Sequence, residues 1–213
     1  LHIFGLGLAI TYWVQIMTAT NDVNYWISSD HHFFHKRILE YQADTRPFNN
    51  LDEMHAELIK RHNEKVSPND MVFFLGDFSF GKAGETLGVL RQMNGIKHFI
   101  VGNHDKVILN NQTLRDEFVW VKDIHELKIP NYTKKFGPIV LCHYPIYSWN
   151  RMHYGAPHFY GHTHGSIPVL HDGQARDIGA DTSDCYPLNI IELADKIVKA
   201  KKAADPRNRS SIR

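Results

Sequence analysis

Met71-Val72-Phe73-Phe74-Leu75-Gly76-Asp77 is the stretch on which the fold turns. The apolar run from Met71 to Leu75 is too short for a helix and lacks the alternation of a half-exposed strand, so it reads as a strand buried on both faces. Gly76-Asp77 closes it with a carboxylate at the strand's carboxyl end. A loop over 78–82 leads into a helical pattern over 84–93, Asn94-Gly95 stops that helix, and a second apolar run over 98–101 reaches Gly102-Asn103-His104-Asp105. Strand, loop, helix and strand in that order make a βαβ unit, whose chemistry belongs at the strand carboxyl ends.

The same arrangement recurs on either side. Residues 24–28 read as a strand ending at Ser29-Asp30-His31-His32. Asn50-Leu51-Asp52-Glu53 has the form of a capping box, after which Leu51, Met54, Leu58 and Ile59 recur at helical spacing to Val66. Ser67-Pro68-Asn69-Asp70 ends that helix. Downstream, an apolar run over 138–141 precedes Cys142-His143, and one over 157–160 precedes Gly161-His162-Thr163-His164. Strands are further expected over 167–170, 175–178 and 188–193, then a basic helix and polar tail over 194–213. The pattern predicts an α/β fold with a β-rich second half: two sheets packed face to face, helices outside.

A chain of 213 residues suits one domain, and 43% hydrophobic with 22% charged residues is ordinary for a soluble globular protein. A net charge of +1 favours neither nucleic acid nor membrane as partner. The two cysteines, Cys142 and Cys185, have no Cys-x-x-Cys spacing, which excludes a disulfide framework and a thiolate zinc site and fits a cytoplasmic protein. Residues 1–16 are apolar without Asp, Glu, Lys or Arg, rather short for a membrane span and without a basic leader or cleavage signal. They are read as a translated extension or loose arm, with Met17 a plausible start. The expected organisation is therefore an extension over 1–22, a domain over 23–196 and a basic tail over 197–213.

The outlier is histidine, at 15 residues. The clusters at the strand ends are built almost wholly of carboxylate, imidazole and amide, the donors that hold divalent first-row metals. Alternate residues of an extended segment share a side, so Asp30-x-His32 and His162-x-His164 each present a pair of ligands. Asp77 can bridge two cations, and Asn103 can ligate without adding charge. Two divalent ions carry more positive charge than Asp30 and Asp77 neutralise, which suits an anionic phosphoester. Metal coordination makes hydroxide available near neutral pH. His104, beside Asn103 and not needed as a ligand, is free for general acid work.

Taken singly, each cluster reads as a solvated turn. Taken together, Asp30-x-His32, Gly76-Asp77, Gly102-Asn103-His104-Asp105, His143 and Gly161-His162-x-His164 resemble the calcineurin-like metallophosphoesterase superfamily over residues 24–193. Ser29-Asp30-x-His32-Phe33-x-His35 and His143-Tyr144-Pro145 resemble its small bacterial and phage members. The resemblance implies a four-layer α/β/β/α sandwich with two packed mixed β-sheets and a dinuclear centre of manganese, or of iron or zinc. By matching positions, Asp30, His32 and His164 would hold one metal, Asn103, His143 and His162 the other, with Asp77 bridging and His104 catalytic. The implied activity is a metal-dependent phosphoesterase, a hydrolase acting on a small phosphoester or nucleotide-like substrate. A manganese-dependent nuclease and a non-enzymatic scaffold on the same fold are the competing classes.

One departure stands out. Many phosphatases of this superfamily continue Gly-Asp-x-x-Asp-Arg-Gly, where the second Asp orients the catalytic His and the Arg grips phosphate. This chain has Gly76-Asp77-Phe78-Ser79-Phe80-Gly81 instead, which favours a phosphodiester over a doubly charged monoester. Asp105, Lys36, Arg37, Lys106 and Arg151 are the groups available to replace parts of that role. His35, Asp105, Arg151, His153 and His158 are expected to flank the ligands or meet substrate. Asp177 and Asp181 are candidates to orient a ligand histidine. His31, His55, His62, His98, His125 and His171 have no motif support and read as structural.

Overall fold

The computed structural model describes residues 23–204. Strands β1 (Tyr25–Ser28), β2 (Met71–Phe74) and β3 (Ile96–Ile100) run parallel, with Ile27 beside Phe73 and Phe73 beside His98. Helix α1 (Leu51–Lys65) lies between β1 and β2 in the chain, and α2 (Ala83–Gln92) between β2 and β3. The α1 start is the one its sequence encodes: the Asn50 side chain accepts the Glu53 N–H at 2.9 Å. Strand β4 (Val121–Lys122) extends the sheet beyond β3.

A second sheet follows, in the order β5 (Ile124–Leu127), β6 (Ile139–Cys142), β7 (His158–Tyr160), β8 (Ala175–Asp177). Its first pair is antiparallel and the others parallel. The chain then returns to the first sheet with β9 (Leu188–Asn189), antiparallel to β1, giving the order β4-β3-β2-β1-β9. The fold is mixed α/β with two mixed sheets.

The alternation of side chains along β2 explains why its run is continuously apolar. Phe73 and Leu75 join Ile27 and Ile100 on one face, packed with Ile139, Leu141 and Phe159 of the second sheet. Val72, Phe74 and Phe99 form the other face, packed with Met54 and Leu58 of α1 and Val89 and Leu90 of α2. The outward residues Val140, Tyr160 and Ala175 of the second sheet are covered by Trp149, Ala156 and Met152 from loops and a 3-10 turn.

Two expected strands differ. Residues 167–170 contribute only an isolated bridge, Leu170 to Ala175. Pro168 offers no N–H to a ladder, and Val169 stands 79% exposed. The run over 188–193 splits: the Asn189 side chain accepts the N–H groups of Ile191 and Glu192 at 3.1 Å, an N-cap that turns the chain into helix α3 (Ile190–Ala204). Ile190, Leu193, Ala194 and Ile197 are then buried at helical spacing in the core between the sheets. The helix thus crosses the boundary expected at 196, and Ile197 belongs to the core. The apolar run over 1–16, Met17 and the end of the tail lie outside the described residues. No helix among the described residues is long and apolar enough to cross a membrane.

Candidate metal centre

Every strand-end cluster lies just after a strand: Asp30 and His32 after β1, Asp77 after β2, Asn103 and His104 after β3, His143 after β6, His162 and His164 after β7. Their side chains converge because the backbone there is unusual. Asp30, His32, Asp77, His162 and His164 all adopt the left-handed region, with φ of 48° to 69°. Non-glycine residues enter that region at a cost of about 1–3 kcal/mol each, sustained by surrounding structure and concentrated at working sites. Close backbone approach does the rest. A Cβ on Gly161 would collide with Ser29 Oγ and the Asp30 carboxylate, so glycine there lets the His162 N–H reach Asp30 Oδ1 and Oδ2 at 3.0 Å.

The converging donors form two nests. Asp30, His32 and His164 make the first, and Asp77, His143 and His162 the second, each able to offer ligand atoms within 4.8 Å of one another. Asp77 faces both: its Oδ2 lies 3.7 Å from His32 Nε2 and its Oδ1 3.6 Å from His143 Nε2. Asn103 joins the second nest, with Oδ1 at 3.1 Å from His143 Nε2 and 2.9 Å from His162 Nδ1. In the first nest, Asp30 Oδ1 is 3.9 Å from His32 Nε2 and 4.0 Å from His164 Nε2. Imidazole–carboxylate separations of 3.6–4.0 Å are too long for hydrogen bonds. Two ligands at about 2.1 Å from one cation lie about 3.4 Å apart at the tetrahedral angle, so these gaps leave room for an ion between the donors.

Tautomers and unpaired atoms test the fit to a metal. The Nδ1–H of His143 donates to the Leu75 carbonyl at 2.7 Å, which leaves Nε2 with a free lone pair toward the nest. The His164 ring likewise engages Asp181 Oδ2 through Nδ1 at 2.6 Å and turns Nε2 inward. His32 is buried, and among the described residues neither of its ring nitrogens has a hydrogen-bond partner. A buried unpaired imidazole is costly unless something absent from the chain occupies the nest. The residues present fit divalent cations.

Electrostatics agree. Burial holds the His32 and His162 imidazoles below their ordinary value, so both are neutral ligands at pH 7. Burial pushes the Asp30 carboxyl up, but His32, His143 and His164 outweigh it and leave the group below the usual carboxylate value. Burial would lower His164, yet its bond to Asp181 and the field of Asp30 leave it raised.

His104 is the group left over. Its Nε2 lies 4.0 Å from Asp77 Oδ2, its side chain is 47% exposed, and its backbone N–H donates to Asp77 Oδ1 at 2.9 Å. The ring that supports it is Phe80, in the position where the resembled phosphatases carry an Asp. Phe80 packs against His104 at 4.8 Å, His35 at 4.3 Å and His32 at 5.3 Å between ring centres. Tyr144 closes the opposite side, 4.9 Å from both His143 and His162.

The flanking residues divide. His35 borders His32 at 5.4 Å and is half-buried beside the nest. Asp105 does not orient the His104 ring through any hydrogen bond among the described residues. It accepts the N–H groups of Asp77, Phe78 and Gly102 at 2.7–3.0 Å, stapling two ligand loops together, and burial pushes it up to about 6. His158 is buried instead of facing the cleft: its Nδ1–H donates to the Val140 carbonyl and its Nε2 accepts the Ile146 N–H, fixing the loop after His143. Arg151 lies over the Tyr154 ring at 5.1 Å, and His153 is exposed in the 3-10 turn Met152–Tyr154. Neither makes a contact with the nests among the described residues. Arg37 is likewise committed elsewhere, to Glu40 and the Tyr41 ring. His31, read as structural, donates or accepts at Ser28 Oγ and packs among Phe33, Phe74 and Phe78.

Asp177 accepts from Thr163 Oγ1 and the Gly165 N–H, shaping the loop that carries His162 and His164. One residue was invisible to sequence reading. Arg46 is 1% exposed, pairs with Asp181 and donates to the carbonyls of Asp30 and His31. It sits in an aperiodic loop with no motif to flag it. Burial raises the Asp181 carboxyl, but Arg46 and His164 overcome this and hold it well below the carboxylate range.

No family model matches the chain. It is 45% identical over 83 residues to an uncharacterized protein of Methanocaldococcus jannaschii, covering 38% of this chain and 46% of that one, so the match spans about half the relative's length. It is 28% identical over 168 residues to the gene 66 protein of Mycobacterium phage L5, covering 68% of this chain and 79% of the phage protein. Among solved structures, a protein of unknown function from Aquifex aeolicus has the same fold, with a TM-score of 0.60 at 20% identity over 83% of this chain and 100% of that one.

Proposed function

We propose that this chain is a dinuclear metal-dependent phosphoesterase of the calcineurin-like type, its two sheets and their coverings forming that superfamily's four-layer sandwich. The observation that carries the proposal is the pair of nests joined by the two oxygens of Asp77, with His104 left unused beside them. In this reading Asp30, His32 and His164 hold one cation, Asn103, His143 and His162 the other, and Asp77 both. Manganese is the expected metal, with iron or zinc as alternatives. When bound, two such ions supply a nucleophile from water at neutral pH and offset negative charge on the phosphoryl oxygens.

The chain's own residues do the rest. The Leu75 carbonyl and Asp181 fix the tautomers of His143 and His164. Asp77 Oδ1, accepting the His104 N–H, sets that residue's backbone against the bridging carboxylate. His104 donates a proton to the leaving alkoxide oxygen, and Phe80 limits its ring orientations. The segment over 78–81 carries no cation to clamp a dianion, and Phe80 and Tyr144 give the mouth an aromatic lining. A phosphodiester, small or nucleotide-like, is therefore favoured over a monoester. Cys142 and Cys185 are buried unpaired thiols, consistent with a cytoplasmic protein.

The deciding experiment is hydrolysis of an aryl phosphodiester by manganese-loaded protein, with Asp77→Asn alongside. Manganese-dependent turnover that the variant loses is the expected result. Wild-type turnover in Asp77→Asn, or none in the manganese-loaded parent across monoesters, diesters and oligonucleotides, would sink the proposal.

A further inference from the structure

Arg46 reaches three segments at once. Nε and Nη2 pair with the two oxygens of Asp181, each at 2.8 Å, in the planar fork that only arginine offers. Nη1 donates to the His31 carbonyl at 2.8 Å and Nη2 to the Asp30 carbonyl at 2.6 Å. Asp181 in turn accepts from Thr45 Oγ1 at 2.7 Å and engages His164 Nδ1. Apart from a contact of Nη1 with Met54 Sδ at 3.7 Å, the guanidinium's bonds lead to the first nest: to the backbone of Asp30 and His31, and through Asp181 to the ring of His164. The second nest is backed differently. His143 rests on the neutral Leu75 carbonyl, while Asn103 and His162 are exposed. Left-handed backbone occurs in both nests, at Asp30, His32 and His164 and at Asp77 and His162, so what distinguishes the first nest is the buried brace behind it.

We propose that Arg46 is the positioning residue of the first metal position, aligning Asp30 and His32 through their backbone and His164 through Asp181, without acting on the second position. It rests on the two-metal centre proposed for this cleft. An uncompensated guanidinium with 0% side-chain exposure would be a liability, and its pairing with the equally buried Asp181 side chain removes that cost. What remains is geometric: the fork and its two carbonyl bonds fix the angle between a strand end and a loop far apart in sequence. A lysine retains the charge and loses the fork.

The test measures manganese binding by equilibrium dialysis, independent of turnover, on the full chain. His162→Ala leaves the first position to report alone, and His32→Ala leaves the second. Adding Arg46→Lys is expected to weaken manganese about 10- to 100-fold in the His162→Ala background, the usual effect of losing support behind a ligand. In the His32→Ala background the change should stay within about threefold, smaller than that support effect. Asp181→Asn, which keeps the side chain's volume, should give the same asymmetry and decides the matter if Arg46→Lys fails to fold by circular dichroism. Equal weakening in both backgrounds makes Arg46 a general folding strap and overturns the inference, as does no weakening in either. If the unmodified chain binds no manganese, the metal centre itself falls and the inference with it. If it binds two ions and the variants are unselective, only the inference falls.

Discussion

Buried histidines in the body of this protein and at the mouth of its cleft are treated in opposite ways. His158 lies against the second sheet with both ring nitrogens engaged by backbone groups, and His62 in α1 is held through Nε2 at the Asn94 carbonyl. His32, likewise buried, has no hydrogen-bond partner at either ring nitrogen among the described residues. Desolvating an imidazole is unfavourable unless a partner replaces water. In the body the chain supplies a partner to at least one ring nitrogen, and in the cleft it supplies none to His32 among the described residues. The contrast separates histidines that serve the fold from those that serve chemistry, although both kinds look alike in composition.

The strongest way to break this contrast is at the cleft. His104→Ala should lower turnover of an aryl phosphodiester by about 10²–10⁴-fold, the scale of a lost general acid, while manganese binding persists. Turnover within a factor of a few of the parent would remove His104 from the chemistry. Next in size, chelation should abolish activity, and manganese should restore it and raise the melting temperature. A ligand at about 100 times its dissociation constant adds about 2.7 kcal/mol of stability. An unchanged melting curve with added manganese would deny the cleft a cation.

The body predicts an acid effect. Burial holds both His62 and His158 at about 4, below the 6.5 of an ordinary imidazole. As pH falls from about 6.5 toward 4, the unfolded chain takes up these protons first, so the stability they contribute is full above pH 6.5 and lost by pH 4. Each histidine should contribute up to about 1.4 kcal/mol per pH unit across that window. Urea unfolding of metal-free protein at several pH values measures the slope, and His158→Gln should flatten it. A slope unaltered by that variant would remove His158 from the acid transition. At the small end, Phe80→Ala should reduce kcat several-fold and change manganese affinity less than that, since Phe80 stacks on the His104 and His32 rings but offers no donor atom. His153→Ala should change neither; a loss there would mean that the exposed turn reaches substrate.

How much of this was legible in sequence follows from what each signal encodes. The candidate ligands were readable as clusters because every one follows a buried strand, and an apolar run ending in Gly-Asp or Gly-Asn-His is a local pattern. Their left-handed backbone was not, because φ at Asp30 or His164 is imposed by neighbours such as Gly161 and Arg46 that lie far away in the chain. Arg46 itself had no signal, being an ordinary charged residue made special only by what surrounds it. The strand assigned over 188–193 failed because one Asn189 side chain redirected an apolar run into a helix. Long-range bracing is the part of a site that composition and spacing do not carry.

The span of the first nest has a consequence for how the protein comes into being on the ribosome. Asp30 lies near the start of the described chain, yet its nest needs His164, and the brace behind it needs Asp181, over separations of 134–151 residues. Strand β1 is made early and waits, because β9 and α3 emerge last and complete its flank. The proposed metal centre is therefore a product of long-range folding: its donors meet only once both sheets are in place.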